Sequence, residues 1–130
     1  MKNIVAFNHV SLLVKDTARA LEFYQGLLGL DIDASRPPMT FPGAWLVVGT
    51  ARIHLMEISA AKAQTNLPEH GGRDRHFALD VIDLGAIEVL LAAAGIPYTM
   101  SRSGRRALFC RDPDGNACLL YTSDAADDFA

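Results

Sequence analysis

A strand-to-helix opening occurs twice in this chain, and each copy begins with a histidine at the same phase. His9 leads His9-Val10-Ser11-Leu12-Leu13-Val14-Lys15-Asp16, and His76 leads His76-Phe77-Ala78-Leu79-Asp80-Val81-Ile82-Asp83. In both, the seventh residue after the histidine is an aspartate suited to opening a helix. The offset of 67 residues is about half of the 130-residue chain, as a duplicated module requires. Two related units that present a histidine at an equivalent point suggest convergence on one centre, which is a metal-site arrangement.

The rest of the pattern fits two βαβββ units. In the first, alternation predicts a strand over 7–14, and Asp16 or Thr17 caps a helix. That helix carries Ala20, Leu21, Phe23, Tyr24, Leu27 and Leu28 at helical spacing and ends at Gly29, which suits a left-handed stop. Short strands are expected over 30–34, 44–48 and 52–58. The second unit repeats this plan. Its strand over 76–81 leads to a helix capped by Asp83 and stopped by Gly95, with strands over 96–101, 105–111 and from Ala117 onward. Between the last two, Asp112-Pro113-Asp114-Gly115-Asn116 is a strong turn. Neither unit alone covers both faces of its sheet. The expected fold is therefore α+β, two tandem βαβββ modules forming a curved mixed sheet around a cleft, with helices outside. It would be one domain over 1–130: module one about 7–58, a linker over 59–75 and module two over 76–122.

Composition excludes several classes. The net charge of −3 comes from Asp124, Asp127 and Asp128, so the remaining chain is neutral, which argues against nucleic acid as a partner. No apolar run is long enough for a membrane span or a signal core, so a cytoplasmic protein is expected. Cys110 and Cys118 read as free thiols rather than a disulfide framework.

Strand parity selects the candidate ligands. His9, Ser11 and Leu13 share one face, while Val10, Leu12 and Val14 share the other, which suits the helix. The second copy sets His76, Ala78 and Asp80 against Phe77, Leu79 and Val81 in the same way. In Arg52-Ile53-His54-Leu55-Met56-Glu57, His54 takes the histidine face and Glu57 the opposite one. His9, His54 and His76 are thus the candidate metal ligands. Neutral imidazole suits zinc, nickel, copper or iron, and the expected cofactor is a divalent ion, one of iron, manganese, nickel, cobalt or zinc. The cluster Arg73, Arg75, Arg102, Arg105 and Arg106 suits a carboxylate or phosphate, but a solvated strand face explains it as well. Trp45 either lines a pocket or packs a sheet edge.

The chain resembles the vicinal oxygen chelate superfamily, which includes glyoxalase I, bleomycin- and fosfomycin-resistance proteins, extradiol dioxygenases and methylmalonyl-CoA epimerase. The resemblance rests on Asn8-His9-Val10, Ala20-Leu21-Glu22-Phe23-Tyr24 with Leu28-Gly29-Leu30, Ile53-His54-Leu55, Arg75-His76-Phe77-Ala78 and Asp112-Pro113-Asp114-Gly115-Asn116. It implies paired modules, commonly a homodimer, and a divalent ion held by the first and last strand of each module. The matching positions are His9, His54, His76 and Leu119.

Leu119 departs from the family, whose members usually carry a glutamate there that completes the metal site. The run 118–128 also resembles translated read-through of a transposase-type sequencing adapter, which would make 118–130 a non-native tail. The resemblance implies a metal-dependent enzyme, of lyase, isomerase or dioxygenase type. It would chelate two neighbouring oxygens of a small substrate and stabilise an oxyanion or enolate, impaired here by Leu119. The alternative is a metal-free small-molecule-binding or resistance-type sequestering protein. Tyr98, Glu57 and His70 have no sequence support as a general base.

Overall fold

In this computed structural model, residues 2–58, 67–68, 70–101 and 106–122 are described. The chain divides into two compact units, Met1–Lys62 and Ala63–Ala130, and each repeats one plan. The first contains β1 (His9–Val14), a helix α1 (Thr17–Leu21) that continues into wider turns over Glu22–Leu27, then β2 (Asp31–Ile32), β3 (Gly43–Val48) and β4 (Ala51–Glu57). Its sheet runs β1-β4-β3-β2, with β1 parallel to β4 and the other pairs antiparallel. The second contains a short 3-10 turn (Gly71–Arg73), β5 (His76–Val81), α2 (Leu84–Ala93), β6 (Tyr98–Met100), β7 (Ala107–Arg111) and β8 (Ala117–Thr122). Its order, β5-β8-β7-β6, is the same arrangement repeated.

The expected caps are present. Asp16 accepts the Arg19 N–H at 3.2 Å and Asp83 the Ala86 N–H at 3.1 Å, satisfying donors that a helix start leaves without partners. Gly29 and Gly95 end the two helices at φ 76° and 70°, and the Ile96 N–H returns to the Leu91 carbonyl. The first helix departs from the expected single α-helix. The Leu28 N–H reaches back five residues to the Phe23 carbonyl, the mark of π winding. Wider winding reduces the angle between successive side chains, and the neighbours Phe23 and Tyr24 are both buried. β2 and β6 are shorter than the alternation predicts, at two and three residues.

Burial follows the predicted parity. Val10, Leu12 and Val14 turn inward while His9, Ser11 and Leu13 stay exposed; Phe77, Leu79 and Val81 likewise turn inward from His76, Ala78 and Asp80. In the first unit Leu12, Val14, Phe23, Tyr24, Leu46, Ile53 and Leu55 form the core beneath α1. In the second, Leu84, Leu91, Leu108 and Leu120 do so beneath α2. The run resembling adapter read-through completes this second sheet: Cys118, Leu119 and Leu120 are all buried. Residues 123–130 lie outside the described residues, as do 59–66 of the expected linker.

Gly43 marks a close approach. A side chain there would collide with the Leu55 carbonyl oxygen of the neighbouring strand. Gly43→Ala should therefore destabilise the chain by about 1–3 kcal/mol in chemical denaturation. Gly26, in the wide turns, has only the Leu21 carbonyl oxygen nearby, at 3.9 Å. Gly26→Ala, measured beside it, should be neutral or stabilising.

Candidate functional site

The histidine face of the first unit carries a ladder of three rings across adjacent strands. His54 on β4 lies opposite Ser11 on β1 and Trp45 on β3 in the strand register. Its imidazole stacks on His9 at 3.9 Å between centroids, with 17° between planes. It also stacks on Trp45 at 4.1 Å and 7°. Sequence reasoning placed His9 and His54 on this face but left Trp45 open. The missing signal was register: only the β3–β4 pairing sets Gly43, Trp45 and Val47 beside Met56, His54 and Arg52.

Burial and the charge around the ladder disfavour protonation of His54. Its pKa is lowered below the ordinary histidine value, first by burial and then by the neighbouring His9, with Arg36 and Arg52 adding to the effect against an opposing pull from Asp33. Arg52 is itself committed: it pairs with Asp33 at 2.8 Å and donates to the Gly49 and Ala51 carbonyls. The Asp33 carboxyl is held down at about 2, mainly by the Ser35 hydroxyl and amide and then by Arg52. Glu57 points away from the ladder, as parity required, and accepts the Thr17 N–H at 2.7 Å at the start of α1.

The second unit repeats this face with only its first histidine, His76, kept. Leu119 lies opposite Ala78 and Phe109, in the register where His54 lies opposite Ser11 and Trp45. Leu119 packs with Ala107, Phe109 and Tyr121 in an apolar cluster. With no ring between them, His76 meets Phe109 edge to face at 5.1 Å. His9 and His76 are anchored alike: Nδ1 of His9 contacts the Asn8 side-chain oxygen at 2.6 Å, and Nδ1 of His76 contacts the Asp74 carbonyl at 2.9 Å. Such anchoring leaves Nε2 of each ring as the available lone pair.

His9 and His54, as they stand, do not fit a shared metal ion. A ligating imidazole holds the ion about 2.0–2.1 Å from nitrogen, in the plane of the ring. Two rings stacked 3.9 Å apart and 17° from parallel have no common point in both planes at that distance. Leu119 supplies carbon where the family's carboxylate would stand. Among the described residues, no group of three or more His, Cys, Asp or Glu side chains is spaced to hold an ion.

Other candidates are occupied elsewhere. Nδ1 of His70 contacts the Thr99 hydroxyl at 2.6 Å, and the Tyr98 hydroxyl donates to Glu88 at 3.3 Å. Burial and Glu88 push the Tyr98 pKa up. Of the arginine cluster, Arg73, Arg75 and Arg106 are exposed, while Arg102 and Arg105 lie outside the described residues. The second unit also has a cavity of about 280 Å³ against Tyr98, Thr99, Phe109 and Cys110, at the small end for ligand sites. The arginine on its wall, Arg111, is committed to Asp74 at 2.7 Å and to the Gly115 and Pro68 carbonyls. Cys110 and Cys118 are free thiols, as expected.

A family model described as the Glyoxalase/Bleomycin resistance protein/Dioxygenase superfamily matches residues 6–119. Over 132 residues the chain is 32% identical to Glyoxylase I 4 of Arabidopsis thaliana, covering 95% of this chain and 74% of that protein. Among solved structures it is similar to TnmS3, an antibiotic-binding protein from Streptomyces sp. CB03234 (TM-score 0.72, 21% identity, 94% and 98% of the two chains). It is also similar to FosX, a fosfomycin resistance protein from Listeria monocytogenes, whose structure holds Mn(II) and 1S,2S-dihydroxypropylphosphonic acid (TM-score 0.70, 18% identity, 97% and 98%). At these identities the structural likenesses speak for the fold alone.

Proposed function

Because this chain belongs to the glyoxalase/bleomycin resistance protein/dioxygenase superfamily, we propose that it binds a small molecule at the face carrying His9, His54 and Trp45, without metal chemistry. The observation that carries this reading is the ring ladder itself. It stacks two imidazoles with an indole face to face instead of converging their nitrogens, and it turns the edges of the three rings toward a ligand. Likeness to an antibiotic-binding protein of the same fold is consistent with it.

The test is a thermal-shift panel of small molecules, antibiotics included, run on the chain and on Trp45→Leu. A ligand present at a hundred times its Kd should stabilise the chain by about 2.7 kcal/mol. Trp45→Leu should lose that gain. A panel in which no compound acts, or acts equally on both proteins, overturns the reading.

A second reading is a metal-dependent enzyme in which His9, His54 and His76 hold a divalent ion. It is favoured by one observation, the matched Nδ1 anchoring of His9 and His76. Metal content after equal loading with iron, manganese, nickel, cobalt and zinc separates the two. The chain as it stands should retain less than one ion per molecule. Stoichiometric metal in the unaltered chain, abolished by His9→Ala, would establish the second reading instead. Metal gained only by Leu119→Glu would mean that position 119 alone separates this chain from a metal-holding one.

A further inference from the structure

We propose that Arg36 forms an anion subsite beside the ring ladder, so that the preferred ligand is a flat, unsaturated molecule bearing a carboxylate. The proposal rests on the binding reading above and names the ligand class for the same face.

The argument begins with where Arg36 lies. Its Nη2 stands 3.3 Å from the point where a side chain at Gly43 would begin, so the guanidinium occupies the space that glycine leaves open. Gly43 is two residues before Trp45 on the same strand and pairs with Met56, two residues after His54. Arg36 is also close enough to His54 for its charge to act on that ring. The guanidinium is therefore next to the ladder, one step along the strands.

It is also held and underused. Arg36 donates to the Phe41 carbonyl at 2.8 Å, and its guanidinium carbon lies 5.7 Å from the centre of the Phe41 ring. Those two contacts fix its position. A guanidinium has five N–H donors, yet the Phe41 carbonyl is the one acceptor Arg36 has among the described residues. Its Nε is buried and has no hydrogen-bond partner among the described residues, so the donors left for a ligand are those of the two terminal nitrogens. The contrast is with Arg52 and Arg111, which pair with Asp33 and Asp74. Arg36 has no such carboxylate among the described residues, so its charge is uncompensated. A planar fork with free donors matches a carboxylate in both shape and charge. A flat group attached to that carboxylate would lie across the edges of the neighbouring rings, the edge-to-face contact that aromatic groups favour.

Trp45 is the only tryptophan, so its emission reports on this face alone. The test titrates benzoate and its neutral counterpart benzamide against the chain, read by Trp45 emission and by calorimetry. Benzoate should bind saturably, and Arg36→Met should weaken it by about tenfold or more while changing benzamide by less than about twofold. Arg36→Lys, which keeps the charge without the fork, should fall between. Equal binding of both probes, or indifference to Arg36→Met, overturns the anion subsite. Failure of benzoate while neutral compounds of the thermal-shift panel still bind also overturns it, and leaves the binding face standing. No response to any compound removes both.

Discussion

Trp45 emission should fall as the pH is lowered from about 8 to about 5, with a midpoint below that of an ordinary histidine. The indole stacks on His54 at 4.1 Å, and a protonated imidazole at that distance quenches an excited indole by accepting an electron. Burial is the leading cause of the lowered pKa of His54, and His9, Arg36 and Arg52 act in the same direction against Asp33. The folded chain thus takes up this proton less readily than the unfolded one. The associated stability is present above the unfolded histidine value and is lost as the pH falls through the folded one. His54→Leu should abolish the optical transition while leaving the emission at pH 8 at least as bright. Persistence of the same midpoint in His54→Leu would mean that the indole responds to some other group.

What the sequence made legible was whatever depends on period and local chemistry. Strand parity separates His9 from Val10 and His76 from Phe77 because side chains alternate regardless of context. Asp16, Asp83, Gly29 and Gly95 act as caps because helix ends need an acceptor or a left-handed residue. Glu57 could be set aside from the site on parity alone, and its bond to the Thr17 N–H agrees. The ring ladder was not legible, because it depends on which residue of β3 faces which residue of β4. Arg36 gave no signal at all: it sits in an irregular stretch before Pro37-Pro38, and its neighbour across the fold, Gly43, is explained only by the Leu55 carbonyl beside it. The duplicated frame also sharpened the meaning of Leu119. The family resemblance marked it as a missing carboxylate, whereas the register makes it the counterpart of His54, a ring position filled with an aliphatic side chain.

Asp112→Ala should destabilise the chain by roughly 3 kcal/mol or more, read as a lowered urea midpoint at unchanged slope. Asp112 is only 5% exposed. Its Oδ1 accepts the backbone N–H groups of Asp114 and Asn116, each at 2.9 Å, and its Oδ2 accepts the Asn116 side-chain amide at 2.8 Å. Removing the carboxylate leaves all three donors short of an acceptor, which costs more than the bonds themselves contribute. Asp112→Asn keeps one oxygen for the two backbone donors but sets an amide against an amide, so it should cost less than alanine. The reach of this turn extends to the candidate site. With Gly115 at φ 87°, it joins β7 to β8 and sets the pairing that puts Leu119 opposite Phe109 and Cys118 opposite Cys110. A slip of one residue would exchange the two faces of β8, sending Leu119 toward α2 and Cys118 toward His76. A Leu119→Glu variant can therefore test the metal reading only while Asp112 holds the register. If Asp112→Ala costs less than about 1 kcal/mol, the strand pairing itself fixes the register and the turn merely follows it.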